Sequence, residues 1–133
     1  MLVNFSNHPS SEWTRNQLET AREQFGTIKD AKHPDILPDW DAKKIREIAE
    51  KYHDQIMLWN PRAVHIMGEH TFCFTLVCLL QKSGVRCIAS TTTRSVHKVS
   101  DQEIRRSFSF VRFRDYPMVQ DLPAPGDTHS KTP

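Results

Sequence analysis

Residues 63–89 read AVHIMGEHTFCFTLVCLLQKSGVRCIA, and this stretch decides the fold. A short apolar strand over 63–67 stops at Gly68, an apolar helix covers 71–83, and a second strand covers 85–89. A helix that is apolar on nearly all sides packs among neighbouring elements. The stretch therefore predicts two parallel strands joined by a buried helix.

The same alternation of strand and helix extends toward the N-terminus. Residues 1–6 and 27–31 predict two further strands. Between them, a helix capped by Ser10 or Ser11 runs to Phe25, where Gly26 ends it. Both strands are expected to join the same sheet as the two strands predicted within residues 63–89.

The cleanest helical pattern covers residues 41–59, whose apolar side chains recur every 3.6 residues until Asn60-Pro61. Residues 107–113 alternate and predict a fifth strand, parallel or antiparallel, with Phe108, Phe110 and a bulged partner facing the core. This order is typical of an α/β fold. We expect a small Rossmann-like three-layer domain, with a mainly parallel sheet and helices on both faces.

The chain has 133 residues, enough for one domain. We assign that domain to residues 1–116. Residues 117–133 contain four of the eight prolines and little apolar content, so they predict a flexible tail. Three cysteines, Cys73, Cys78 and Cys87, are expected as buried thiols in a reducing compartment, which favours the cytoplasm. No apolar run approaches the roughly 20 residues of a membrane span, and the N-terminus lacks the pattern of a secretion signal.

The net charge of +2 conceals an uneven distribution of charge along the sequence. Residues 94–114 hold six Lys or Arg and two Asp or Glu, a local charge of +4, whereas the rest of the chain sums to −2. The small total argues against a strongly basic nucleic-acid coat protein. The Arg residues of this segment are expected either to protect an edge strand from aggregation or to meet an anion.

Polar residues follow three of the predicted strands. Because the carboxyl ends of parallel strands meet at one edge of a sheet, where ligands bind, these polar residues are expected to converge. Free backbone N–H groups, hydroxyls and an arginine make a natural anion site. Alternatively, these polar residues only cap helices or form turns, above all Thr71 and, just after the first stretch, Ser10 and Ser11. The three stretches are Ser6-Asn7-His8, Gly68-Glu69-His70-Thr71 and Ser90-Thr91-Thr92-Thr93-Arg94.

Known chemical motifs are lacking. The sequence has no dinucleotide fingerprint, P-loop or nucleophile elbow. His65, His70, Cys73 and Cys78 do not form a familiar metal-ligand spacing, so we expect no metal and no cofactor.

The segment Asn4-Phe5-Ser6-Asn7-His8-Pro9, Gln17 in the first helix, and the later strand-Gly-Glu-x-Thr segment resemble small CRISPR-associated proteins of type III systems. These are single-domain relatives of the CARF (CRISPR-associated Rossmann) fold, and some are ring nucleases. The resemblance covers roughly residues 1–95. It implies a homodimer that binds a cyclic oligoadenylate across its two-fold axis. It also implies metal-independent cleavage by the ribose 2′-hydroxyl, which ends antiviral signalling.

The resemblance assigns roles to the polar strand ends. Partners other than the cyclic ligand and a second copy, namely long nucleic acid or a membrane, are not expected. The expected catalytic residues are His8, His70 and Arg94. The expected ligand-binding residues are Ser6, Asn7, Gly68, Glu69, Thr71, Ser90, Thr91, Thr92, Thr93 and Lys98.

Three other functions remain open at the level of sequence. A sensor or sponge would bind the same ring without cleaving it. A Rossmann-like enzyme acting on a mononucleotide or sugar phosphate would use the pocket of one subunit. A nucleic-acid-binding module would use the basic residues 94–114, although no recognition motif accompanies them.

Overall fold

The computed structural model describes residues 1–123 and residue 125. These residues form five strands, three α-helices and two short 3-10 turns. The strands are β1 (Leu2–Ser6), β2 (Ile28–Asp30), β3 (Ala63–Met67), β4 (Cys87–Lys98) and β5 (Ile104–Asp115). The helices are α1 (Arg15–Phe25), α2 (Ala42–Trp59) and α3 (His70–Lys82), and the turns are Ser10–Glu12 and Val119–Asp121.

The strands form one mixed sheet in the order β2-β1-β3-β4-β5. Neighbouring strands from β2 to β4 run parallel, and β5 lies antiparallel to β4 at the edge. The predicted α/β class and mainly parallel sheet are confirmed. The orientation of the fifth strand, left open by its sequence, is antiparallel.

Side chains that alternate along β1 and β3 enter two different apolar clusters. Val3 and Phe5 of β1 belong to a cluster with α2 and α3 residues such as Ala49 and Leu76. Leu2 belongs to a second cluster with residues of α1 and β5. This division follows from the two-residue period of a strand, which points successive side chains to opposite faces.

The predicted cap of the first helix is wrong. Ser10 begins a 3-10 turn, and α1 begins later, with the Thr14 side chain accepting a hydrogen bond from the Gln17 backbone N–H. Between them Trp13 is buried, with extended backbone, in the cluster shared with α1. Burial of the indole thus separates the turn from the helix.

The fourth and fifth strands are longer than predicted. We expected a strand over 85–89 followed by a polar loop, but β4 begins at Cys87, continues to Lys98 and pairs with β5 from Ile88 onward. The hydroxyl-rich residues 90–93 therefore lie within a hairpin. Threonine is favoured in strands, and this β-propensity outweighs the polarity that indicated a loop.

One residue of β5 changes which side chains face the core. Thr91 pairs with Arg112 and Thr92 with Phe110, so Val111 is an extra residue that forms a bulge. Phe110 and Phe113 are both buried as a result, which confirms the expected bulged partner. Phe108 was expected in the core, but 63% of it is exposed, because the cover provided by α1 ends before it.

The first part of the predicted tail contacts α3. The side-chain amide of Gln81 donates to the Pro117 carbonyl at 3.0 Å and its oxygen accepts from the Val119 N–H at 3.2 Å. Residues 124 and 126–133 lie outside the described residues, so flexibility of the tail stays a prediction. Within the described ranges no helix is long and apolar enough to cross a membrane.

Gly68 lies where β3 passes into α3, and its backbone is closely packed. A Cβ at this position would overlap the His33 ring, 2.8 Å from Cε1 and still closer to Nε2, and the φ of +155° also disfavours a side chain. We expect Gly68→Ala to lower the free energy of unfolding by about 1–3 kcal/mol more than Gly84→Ala. Gly84 is a matched control, since it has φ +80° and a Cβ there would meet nothing within 4 Å. Urea denaturation of both variants measures the difference, and equal losses would contradict the close contact.

Candidate functional site at the carboxyl ends of the parallel strands

The carboxyl ends of β1 and β3 meet at one edge of the sheet, and β4 crosses the same edge at Ser90 before it continues to Lys98. Ser6, the last residue of β1, pairs in register with Met67, the last residue of β3. The Ser90 backbone N–H in turn lies 3.4 Å from the Met67 sulfur. The three polar stretches predicted from sequence therefore begin side by side at this edge.

A continuous chain of hydrogen bonds crosses this edge from β2 to α1. Parallel pairing places Asn4 beside His65, and Asn4 Oδ1 lies 2.9 Å from Nδ1 of His65. On the far side of the ring, Nε2 lies 2.7 Å from the Ser90 hydroxyl. Gln17 of α1 donates to the same hydroxyl at 3.0 Å, and Asn4 Nδ2 donates to Asp30 at 2.8 Å.

The partners fix the direction of every hydrogen bond in the chain. A carboxylate only accepts, so the Asn4 amide nitrogen faces Asp30 and its oxygen faces His65. The Asn4 oxygen in turn only accepts, so Nδ1 of His65 carries the proton. In the neutral ring Nε2 is then the acceptor, and the Ser90 hydroxyl donates to it.

The imidazole of His65 is enclosed by apolar and aromatic groups. The residue is 2% exposed, and its ring lies edge-on to Trp13 at 5.1 Å and to Phe113 at 5.7 Å between centroids. Desolvation by this burial lowers the pKa of His65 to about 4. At neutral pH the ring is therefore uncharged, and its Nε2 can accept a hydrogen bond from the Ser90 hydroxyl.

Asp30 of β2 lies at the end of the hydrogen-bond chain opposite to Gln17. Its carboxylate accepts from the Ser10 hydroxyl at 2.6 Å and from the Ser10 backbone N–H at 2.9 Å, in addition to Asn4. Partial burial alone would raise the pKa of Asp30, but the hydrogen bonds from Ser10 and Asn4 outweigh it and lower the pKa. Asp30 thus holds the loop after β1 against β2.

Of the predicted residues after β1, Ser6 lies inside this network and the next two reach solvent. The Ser6 hydroxyl lies 2.8 Å from Asn4 Oδ1 and accepts from the His8 backbone N–H at 3.3 Å. Asn7 and His8 are exposed, and the His8 ring lies 3.8 Å from the carboxylate of Glu12. The His8 carbonyl accepts from Asn4 at 2.9 Å, which fixes the backbone of this loop.

The predicted residues after β3 mainly begin a helix. The Glu69 carboxylate accepts from the N–H groups of Thr71 and Phe72 at 3.0 and 2.8 Å and from the Thr71 hydroxyl. The Phe72 N–H and the Thr71 hydroxyl lower the pKa of Glu69. The alternative that Thr71 serves the helix start is therefore favoured, with Glu69 as the cap itself. His70 is exposed at the first position of α3.

The predicted residues of β4 divide between the network and the hairpin beyond it. Ser90 joins the network, whereas the Thr91 hydroxyl bonds the backbone of Arg112. Thr92, Thr93 and Arg94 are exposed further along β4, and Lys98 at its end lies 3.3 Å from Asp101. Arg94 is four residues past Ser90, about 13 Å along a strand. Within one chain, the hairpin thus carries Arg94 away from the network.

An open cavity of about 480 Å³ adjoins the network on the β2 side. Asn4, Ser6, Asn7, Asp30 and His33 are among its lining residues. A second cavity, of about 440 Å³, lies beside α3 and is lined mainly by apolar groups, among them Met67, His70 and Phe74. Both volumes lie in the range that accommodates small ligands.

Sequence reasoning missed the centre of the network. His65 was considered only as a metal ligand, and Asp30 was not considered. No group of three or more His, Cys, Asp or Glu among the described residues is placed to hold a metal. A signal was present, since Asn4 and His65 are polar residues inside short apolar strands, and both strand patterns place them on the face of Leu2 and Ala63.

Comparison with family models identifies the relatives of this chain. The model described as "Uncharacterized protein MJ1673 family" matches residues 1–114. The chain belongs to this family. The matched span of the MJ1673 family includes every residue of the hydrogen-bond chain from Asn4 to Ser90 and most of the β4–β5 hairpin. Comparison with curated proteins gives no match.

The lowered pKa of His65 predicts a specific pH dependence for this member of the MJ1673 family. The unfolded chain, with a pKa near 6.5, binds a proton more readily than the folded one, with a pKa of about 4. Stability is therefore lost as the pH falls from about 6.5 to about 4, by about 3 kcal/mol at most for this residue. Chemical denaturation of the wild type and His65→Gln at pH 7.5 and 4.5 measures it. A pH-dependent loss equally large in the variant would assign the effect to other groups.

Ser90 is the shared partner of two side chains. We expect Ser90→Ala to lower the free energy of unfolding by about 1–3 kcal/mol, because Nε2 of His65 and the Gln17 amide lose their partner. Ser95→Ala is the matched control, an exposed serine of the same strand, and we expect it to change stability by under about 0.5 kcal/mol. Thermal and urea unfolding compare them. Equal stability of the two variants would refute the role of Ser90 as the shared hydrogen-bond partner of His65 and Gln17.

Proposed function

We propose that this chain is a metal-independent ring nuclease, a homodimer that binds and cleaves a cyclic oligoadenylate and so switches off type III CRISPR signalling. One observation carries the proposal. Asn4, Ser6 and Gln17, which carry the sequence resemblance, belong to one hydrogen-bonded network although they are distant from its other members in sequence. That network lies at the edge where α/β sheets bind their ligands.

The proposal also specifies the fold more closely than its α/β class. We place the domain with small Rossmann-like, CARF-like folds of three layers. Supporting this, α1 contributes to one apolar cluster and α2 and α3 contribute to the other, with the residues of β1 and β3 divided between them. The carboxyl edge of the sheet is then flanked by helices, which leaves a crevice for the ligand.

The proposed reaction needs alignment and anion stabilisation more than a strong base. A ribose 2′-oxygen attacks the adjacent phosphorus, and the bond from phosphorus to the 5′ oxygen breaks. The products are a 2′,3′-cyclic phosphate and a 5′-hydroxyl, so the proton lost by the 2′-hydroxyl is balanced by the one gained at the 5′ oxygen. Holding the 2′-oxygen in line with the leaving group supplies much of the acceleration.

Ser90 is suited to orient such a hydroxyl. A serine hydroxyl donates once and accepts twice. Ser90 donates to His65 and accepts once from Gln17, which leaves one acceptor site on a partly exposed residue. That acceptor matches a ligand hydroxyl. In this proposal, His8 and His70, both exposed at the same edge, transfer the protons.

The two cavities suit the two chemical parts of the ligand. The polar cavity beside Ser6 offers the side-chain donors of Asn7 and Lys32 to phosphate, and its Asp30 and Asp35 carboxylates can accept from ribose hydroxyls. The apolar cavity beside Phe74 and His70 offers surfaces for an adenine base. A ring of adenylates presents both parts in alternation.

Incubation of the purified protein with cyclic tri-, tetra- and hexa-adenylate in EDTA tests the proposal. We expect linear products that end in a 2′,3′-cyclic phosphate, identified by chromatography and mass spectrometry. Tight binding without turnover would replace the nuclease by a sponge. Absence of binding to every ring would overturn both.

Arg94 is expected to meet a phosphate. We predict that Arg94→Ala lowers affinity or turnover by at least about tenfold, the scale of one charge-assisted contact. Arg105→Ala is the matched control, because Arg105 pairs with His97 on the other face of the same hairpin. Isothermal titration with the ring that is bound tightest, and single-turnover kinetics, measure both variants. Equal effects would mean that the hairpin acts only through its overall charge.

A further inference from the structure

The hairpin formed by residues 91–98 and 104–112, here called the arm, extends past the carboxyl edge of the sheet. β4 pairs with β3 only at Cys87 and Ile88, and beyond Ser90 its pairing is with β5. Eight strand residues span about 26 Å. Because β4 runs parallel to β1 and β3, the arm points outward from the edge where the network lies.

The two faces of the arm differ in chemistry. Directly paired residues of an antiparallel ladder share a face. One face carries exposed apolar residues opposite cations, in the pairs Phe108 with Arg94, Val96 with Arg106, and Ile104 with Lys98. The other face carries Thr93, Ser95, Ser107 and Ser109, together with His97 and Arg105.

The apolar and cationic face has no cover within the chain as described. Phe108, Ile104 and Val96 are 63%, 60% and 53% exposed. An isolated two-stranded hairpin is marginally stable in water, and a row of exposed apolar side chains marks an interface. Something that is both apolar and acidic would complement this face.

The same chain carries such a surface at the opposite end of the same edge. Residues 35–41 read DILPDWD, with three acidic and no basic residues, and Leu37 among them is 49% exposed. Asp35 lines the polar cavity together with Ser6, which places the segment at the β1–β2 end of the edge. The arm leaves from the β4–β5 end.

We infer that the arm of each protomer docks on residues 35–41 of a second copy, across a two-fold axis that sets the two carboxyl edges face to face. The inference deepens the proposed function and rests on it for the apposition of these edges. An axis normal to the sheets opposes β5 of one copy to β2 of the other. An axis along the edge would instead set arm against arm, with like charges together.

This arrangement completes the site with residues of both copies. The arm that carries Arg94 away from the network of its own chain brings it toward the polar cavity of the other chain. A ring of phosphates between the two edges would then meet the same donors from each protomer. The exposed hairpin thereby becomes the wall of an enclosed site.

Charge reversal tests the docking without any ligand. One variant carries Arg94→Glu and Arg106→Glu, and the other carries Asp35→Lys and Asp39→Lys. Each alone sets like charges together at both contacts, and we expect its dimer dissociation constant to rise at least about tenfold. Mixed, they set opposite charges together at both contacts, and we expect a heterodimer with an affinity close to that of the wild type. Analytical ultracentrifugation and native mass spectrometry measure these states.

Controls keep the result specific. Arg105→Glu, on the other face of the arm, is expected to leave the dimer intact, and circular dichroism verifies that every variant is folded. A monomeric wild type at 50 µM (on the order of ordinary assay concentrations), or a mixture that stays monomeric, would overturn the docking. Because the heterodimer is scored without ligand, its formation by a protein that binds no cyclic oligoadenylate would remove the proposed function and leave the docking intact.

Discussion

The hydrogen bond between Asn4 and His65 is the contact on which the arrangement of the edge depends. It joins the two central strands through side chains that are both nearly inaccessible to water. A buried amide or imidazole without a partner costs free energy, so each of the two groups requires the other in place. From this pair, hydrogen bonds continue to Asp30 on one side and to Ser90 and Gln17 on the other. They thereby position the loop after β1 and the first turn of α1.

Much of the fold follows from local pattern. The strand over Ala63–Met67 and the helix that ends at Trp59 agree with sequence to within a residue, because apolar periodicity and Gly or Asn-Pro stops act locally. The start of α1 and the length of β4 differ from what the sequence predicts. Burial of Trp13 and pairing with β5 decide them, and both are tertiary effects that a short window cannot contain.

The position of the polar residues at this edge was predictable from sequence, but the hydrogen bonds between them were not. The carboxyl ends of parallel strands point toward one edge of a sheet, so Ser6 and Ser90 were expected near one another. What the pattern could not supply was the register that sets Asn4 against His65, since that depends on how the strands are paired. The polar residues inside apolar strands were the visible trace of it. Glu69 and Thr71, by contrast, are engaged in starting α3, which is the ordinary use of such residues.

The bulge at Val111 has a geometric consequence for the arm. An extra residue on one strand bends the ribbon and increases its twist, so the angle at which the arm leaves the sheet is set at that point. Beyond it the ladder is regular to its tip. Lengthening both strands by two residues keeps every side chain on its face, whereas a change of one exchanges the faces. The reach of the arm is thus free to vary in steps of about 7 Å while Phe110 and Phe113 stay fixed in the core.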